Sequence, residues 1–164
     1  TEEGEYQWDR FKLRIPLTGP LFELVALSRF SRNFSMMLAA GLPITTALTL
    51  VSEALNNRYI GKAVADMRMG IERGDTLLRT ARTSGMFSPL VMQMLAVGEE
   101  TGAVDSLLKD VADFYDEEVE YSLKKLAESI EPILLVFMGA MVLVLALGVF
   151  LPMWDLGAAA LGRG

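Results

Sequence analysis

The sequence predicts an all-α protein: a six-helix bundle whose last helix continues, kinked near Pro132, into a C-terminal transmembrane helix. Three observations lead there. Apolar residues recur at helical spacing in one segment after another, and no segment alternates convincingly at period two. Gly, Pro and Ser-Pro punctuation separates these segments at points where helices stop or start. Residues Ile133 to Leu151, ILLVFMGAMVLVLALGVFL, contain no charge and no strong polar group. That run falls within the about 17–25 apolar residues a helix needs to cross a hydrocarbon layer, and a buried core helix is usually shorter and keeps a polar face.

In chain order, residues 1–22 are polar, then basic, and carry Pro16 and Pro20. They read as an extended juxtamembrane lead. A bundle domain over 23–131 follows. Its first helix is LVALSRFSRNFSMMLAAG, stopped by Gly41. Pro43 suits the first turn of the second helix, PITTALTLVSEAL. The third runs from about Tyr59 to Arg73 and stops at Gly74. Asp75 is a candidate cap for a short fourth helix, TLLRTAR. After the loop TSGMF, Ser88 and Pro89 make a cap-plus-proline start for the fifth, PLVMQMLAVGEE. Met36, Met37, Met92 and Met94 fall at core-like positions, where packing is the default role.

The sixth helix starts near Val104 and carries Leu107, Leu108, Val111, Tyr115, Val119, Ser122 and Leu126 on one face. Asp113, Asp116, Glu117 and Glu120 form an acidic stripe on the opposite face. Glu118 falls toward the apolar face, paired with Arg29 or Arg32 or placed at a helix contact. If continuous to Leu151 the helix measures roughly 70 Å at 1.5 Å per residue, a rigid link between bundle and membrane. Pro132 kinks it at the lipid boundary, the span covers 132–152, and 153–164 form a short exterior tail. Lys124 and Lys125 precede the span and only Arg163 follows closely, which places the bundle in the cytoplasm.

Composition excludes several chemistries. With no Cys and no His, thiol catalysis, imidazole acid–base work and Cys/His zinc sites are absent. A net charge of −6 without clustered Lys and Arg argues against a nucleic-acid surface. The first residue is Thr and no signal peptide precedes it, as in a trimmed chain. The stretch VGEETGAVDSLL is glycine-rich, but two carboxylates sit where a phosphate would go and no Lys follows, so a nucleotide cradle does not fit. It reads as a tight corner. Gly102 takes a positive φ after the fifth helix and Gly98 lets a neighbouring helix approach. Glu99 and Glu100 are exposed there as partner contacts, or Glu99 caps inside the corner. The acidic stripe lacks the D-x-D-x-D-G loop of a calcium site. Glu131, beside Pro132, sits at the membrane edge, where an ionisable group can reach water. No catalytic, cofactor or metal residues are assigned.

Several motifs resemble, in order, those of the type II secretion F / type IV pilus platform family. RFSRNFSMMLAAGLPITTAL is similar to the opening of its domain, with Gly41, Pro43, Ala47 and Leu48 on the family pattern. The second half resembles it through Gly74 opening G-x-x-L, the Phe87-Ser-Pro89 loop, and the corner Gly98, Glu99 and Gly102 followed by a tyrosine-plus-acid helix. KLAESIEP and FLPMWDL, with Pro132 and Pro152, resemble the last membrane segment, and WDRFKLRIPLTGPL resembles the stretch after the second. Members usually have two cytoplasmic domains and three membrane helices, so this chain resembles the C-terminal half.

The resemblance implies a non-enzymatic platform in the bacterial inner membrane. Such a platform couples a cytoplasmic hexameric ATPase to insertion or extraction of pilin or pseudopilin, contacts other inner-membrane assembly proteins and self-associates, without a cofactor. The resemblance covers pilus assembly and secretion alike. Glu99, Glu100, Asp113, Asp116, Glu117 and Glu120 are the candidate partner surface. Two rivals are a membrane-anchored enzyme with a carboxylate site and a transporter half gated at Glu131 and Pro132. Strongly shifted pKa values in an acid pocket would favour the first, and a polar path along the span the second.

Overall fold

A computed structural model describes residues 19–162, and every regular element among them is α-helix. The helices are α1 (Gly19–Ala39), α2 (Ile44–Ala54), α3 (Arg58–Glu72), α4 (Leu77–Ser84), α5 (Pro89–Thr101) and α6 (Val104–Leu161). The chain divides into two compact units, the first ending at Ser122 and the second beginning at Leu123.

In the first unit each helix contributes its apolar stripe to one core. Phe30 and Phe34 come from α1, Leu48 and Val51 from α2, and Ile60 and Val64 from α3, all fully buried. Leu77 and Ala81 of α4, Val91 and Leu95 of α5, and Leu108, Val111 and Tyr115 of α6 complete it. The Phe30 ring lies 5.4 Å from that of Phe34 and 5.6 Å from that of Phe87, so the Phe87-Ser-Pro loop is pinned to α1 through aromatic contact.

Punctuation acts where the sequence places it. Gly41, Gly74 and Gly102 end α1, α3 and α5 with positive φ. At Gly102, φ 74° and ψ 9° set the left-handed C-cap that turns the chain from α5 into α6. Gly98 is buried in α5, where an added Cβ would lie 3.3 Å from the Val104 Cα and 3.1 Å from Leu107 Cδ1. Its missing side chain lets α5 approach the start of α6. Ser88 accepts a hydrogen bond from the Val91 N–H with Pro89 in the first turn.

Several boundaries differ from expectation; Thr83 and Ser84, for example, end α4 and are not part of the TSGMF loop. α1 starts at Gly19, so residues 19–22 are helical and not part of an extended lead; residues 1–18 lie outside the described residues. Pro20 causes no break because a first-turn N–H has no intrahelical acceptor to lose. Pro43 precedes α2 instead of opening it, and α3 starts one residue early behind an Asn57 cap that accepts from the Ile60 N–H. The α4 cap is Thr76, whose hydroxyl accepts from the Arg79 N–H, and not Asp75. Asp75 pairs with Arg79 at 3.2 Å.

In the second unit α6 is α-helical through both Pro132 and Pro152, and helix continues to Leu161, into the expected tail. This helix is long and apolar enough to cross a membrane, and its apolar window is not buried inside the protein.

Candidate functional site

The GEETG corner is a joint between three helices. The Glu99 carboxylate reaches from α5 to the start of α4, where one oxygen accepts from the Leu77 N–H at 2.8 Å and the other from the Leu78 N–H at 3.1 Å. These are N–H groups that a helix leaves without intrahelical acceptors. With Thr76 serving the Arg79 N–H, the first turn of α4 is satisfied. A carboxylate there also meets the positive end of the helix dipole. Glu99 is partly buried, and both of its oxygens accept hydrogen bonds within the domain. Glu100 is exposed.

The acidic stripe on α6 is divided. Asp113, Asp116, Glu117 and Glu120 are all exposed. However, Arg32 of α1 bridges Asp113, at 3.0 Å, and Asp116. Asp116 also accepts the Ser28 hydroxyl. The Ser28 hydroxyl, aided by Arg32, holds Asp116 below the usual carboxylate range. Farther along the same seam the Ser35 hydroxyl donates to the Asp105 carbonyl at 2.6 Å. Two of the four acids therefore fasten α1 to α6. Glu117 and Glu120 have no ion pair among the described residues. Arg32 does not pair with Glu118, which is partly buried.

Tyr115 and Glu23 form a further pair that sequence spacing does not connect. The Tyr115 hydroxyl is buried beside Ser88 without a hydrogen bond of normal geometry, and burial pushes it up to about 12. The Glu23 charge contributes to that rise. Burial also raises the Glu23 carboxyl above its ordinary value. Nothing in a single helical period marks Glu23 as half-buried.

Grooves of the first unit include two of note. One, of about 430 Å³, lies along α3 and α4 and includes Asp66, Arg73 and Asp75. The other, of about 340 Å³, is more apolar and lies between α1 and the α2–α3 turn, with Phe22, Val25, Arg29 and Leu55. The raised carboxyl, Glu23, lines neither. No group of three or more acidic residues among the described residues is placed to hold a metal ion. Met36 is 56% exposed and does not join the core; Met37, Met92 and Met94 pack against it. Every side chain from Ile133 to Leu151 is apolar or absent, which gives a polar transport path no lining on this helix.

The described residues form a helical bundle whose last helix becomes an apolar segment long enough to cross a membrane. Comparison with known proteins gives the family. Residues 30–152 match the family described as Type II secretion system (T2SS), protein F. The chain is 38% identical over 157 residues to the type IV pilus assembly protein PilC of Thermus thermophilus, covering 95% of this chain and 39% of that protein. It is 36% identical over 156 residues to PilC of Myxococcus xanthus, covering 95% and 37%. It is 31% identical over 150 residues to type II secretion system protein F of Pseudomonas aeruginosa, covering 92% and 37%. The chain belongs to the type II secretion system protein F family. It spans about two-fifths of the length of these relatives.

Proposed function

We propose that this chain is part of a non-enzymatic inner-membrane platform of a type IV pilus or type II secretion machine. In this reading the bundle lies in the cytoplasm, 132–152 cross the membrane and the residues beyond lie outside. The platform couples a hexameric ATPase to insertion or extraction of pilin or pseudopilin, and it self-associates alongside other inner-membrane assembly proteins. One observation carries the reading. In a chain of this family, one helix supplies Leu108, Val111 and Tyr115 to the bundle core and becomes apolar at Ile133. Such a helix serves as a mechanical link without any catalytic residue.

The ATPase meets the acids that the fold leaves unpaired, Glu117 and Glu120, with Glu100 beside the corner as a secondary contact. Exposed charges of this kind act on encounter rate and salt dependence more than on fold. Reversing both with Glu117→Lys and Glu120→Lys should weaken binding to the isolated ATPase and flatten its salt dependence. Pilus or secretion output should fall while melting temperature and helical ellipticity stay at wild-type values. Unchanged binding and output in the folded double variant would remove this surface as the coupling site.

A further inference from the structure

Pro152 lies inside α6, four residues after Gly148. Proline has no N–H, so the Gly148 carbonyl loses the donor that an α-helix normally supplies from position i+4. The helix is α on both sides, with no π turn to bring in the next N–H. Gly148 has no side chain, and nothing lies within 4 Å of where its Cβ would be. Among the described residues the carbonyl therefore lacks its helical donor, and the glycine beside it leaves room for a second backbone to approach.

Its depth makes this costly. At 1.5 Å per residue Gly148 lies about 22 Å beyond Ile133, inside a hydrocarbon layer of about 30 Å. Each unsatisfied backbone polar group there costs several kcal/mol. Pro132 has the same effect on the Glu128 carbonyl, but that group lies near Lys124, Lys125 and Glu131, at a level where water can serve it.

We propose that the Gly148 carbonyl is a docking point within the membrane for a neighbouring transmembrane helix of different sequence, one that donates a Ser or Thr hydroxyl. The inference rests on the reading of α6 as membrane-spanning. A second copy of this helix does not supply the donor, because Ile133 to Leu151 contain no hydroxyl, amide or indole side chain. The nearest such group, Trp154, is six residues further on and about 240° around the helix, on another face. A short hydroxyl side chain suits the site, since glycine lets two backbones approach closely and small residues populate such contacts.

The test uses the full-length protein in its own membrane, with a benzoylphenylalanine photo-crosslinker in place of Val144, on the Gly148 face, or of Phe150, on the opposite face. The Val144 position should give an adduct that peptide mapping assigns to a membrane helix of another sequence, in several-fold higher yield than Phe150. Pro152→Ala restores the missing N–H. Gly148→Leu fills the space through which a second backbone would approach but keeps Pro152. Each should cut the Val144 yield about threefold or more, the weight of an average interhelical hydrogen bond in a membrane. Adducts only with lipid or a second copy, equal yields from the two faces, or no response to either substitution would overturn the docking point. Loss with Pro152→Ala alone would also overturn it, because bending of the helix would then explain the effect. A cysteine at Val144 that is labelled by a membrane-impermeant maleimide would overturn the span itself; protection of that cysteine with failed cross-linking overturns only the docking point.

Discussion

Phe30→Ala should lower the stability of the bundle by about 3–5 kcal/mol, the usual cost of emptying a buried phenylalanine site. Phe30 is 1% exposed and touches Phe34 within α1 and Phe87 in the loop before α5. Its removal opens a cavity where two elements meet and frees the Phe87 loop that starts α5. A domain of this size is stabilised by about 5–15 kcal/mol in total, so the loss takes a large share. Urea unfolding in detergent, followed by ellipticity, reads it as a fall in midpoint. Phe22→Ala is the control: Phe22 is on the same helix but 52% exposed, and its removal should cost well under about 1 kcal/mol. Equal losses from the two would contradict the packing described.

The second large effect is at Glu99. Glu99→Ala strips acceptors from the Leu77 and Leu78 N–H groups at once. Hydrogen bonds to a charged group contribute about 1.5–3 kcal/mol each, and partial exposure lets water replace some of that, so a net loss of about 2–3 kcal/mol is expected. Glu100→Ala, one residue away and exposed, should leave the unfolding midpoint unchanged. If Glu99→Ala kept full stability and lost only partner binding, Glu99 would be a contact residue and its capping role would be wrong.

These two residues show where sequence is readable and where it stops. Phe30 follows from helical periodicity, and Gly41, Gly74 and Gly102 from backbone chemistry, because both signals are local. The role of Glu99 depends on α4 lying across from it, 22 residues away along the chain. One local clue existed: the first turn of α4 has no acidic residue, so any carboxylate at its positive end comes from elsewhere. Asp75 and Thr76 are both good cap types, and only the path of the chain decides between them. The stripe on α6 was legible as a set. Its division was not, since Arg32 reaches Asp113 and Asp116 with a long side chain from another helix. The helical start at Gly19 was hidden by Pro20, which resembles a breaker until its place in the first turn is known. ATPase and pilin partners followed from resemblance alone, because no spacing in this chain encodes them.

In the proposed reading, α6 leaves a cytoplasmic bundle and crosses the inner membrane. These 164 residues contain no cysteine, so each introduced cysteine is the only one among them. Ser106→Cys lies in the bundle and Ala160→Cys near the far end of α6, both exposed in the protein. In intact spheroplasts, a membrane-impermeant maleimide should label Ala160→Cys at once and Ser106→Cys only after lysis. Labelling of both before lysis, or of Ser106→Cys alone, would contradict the account.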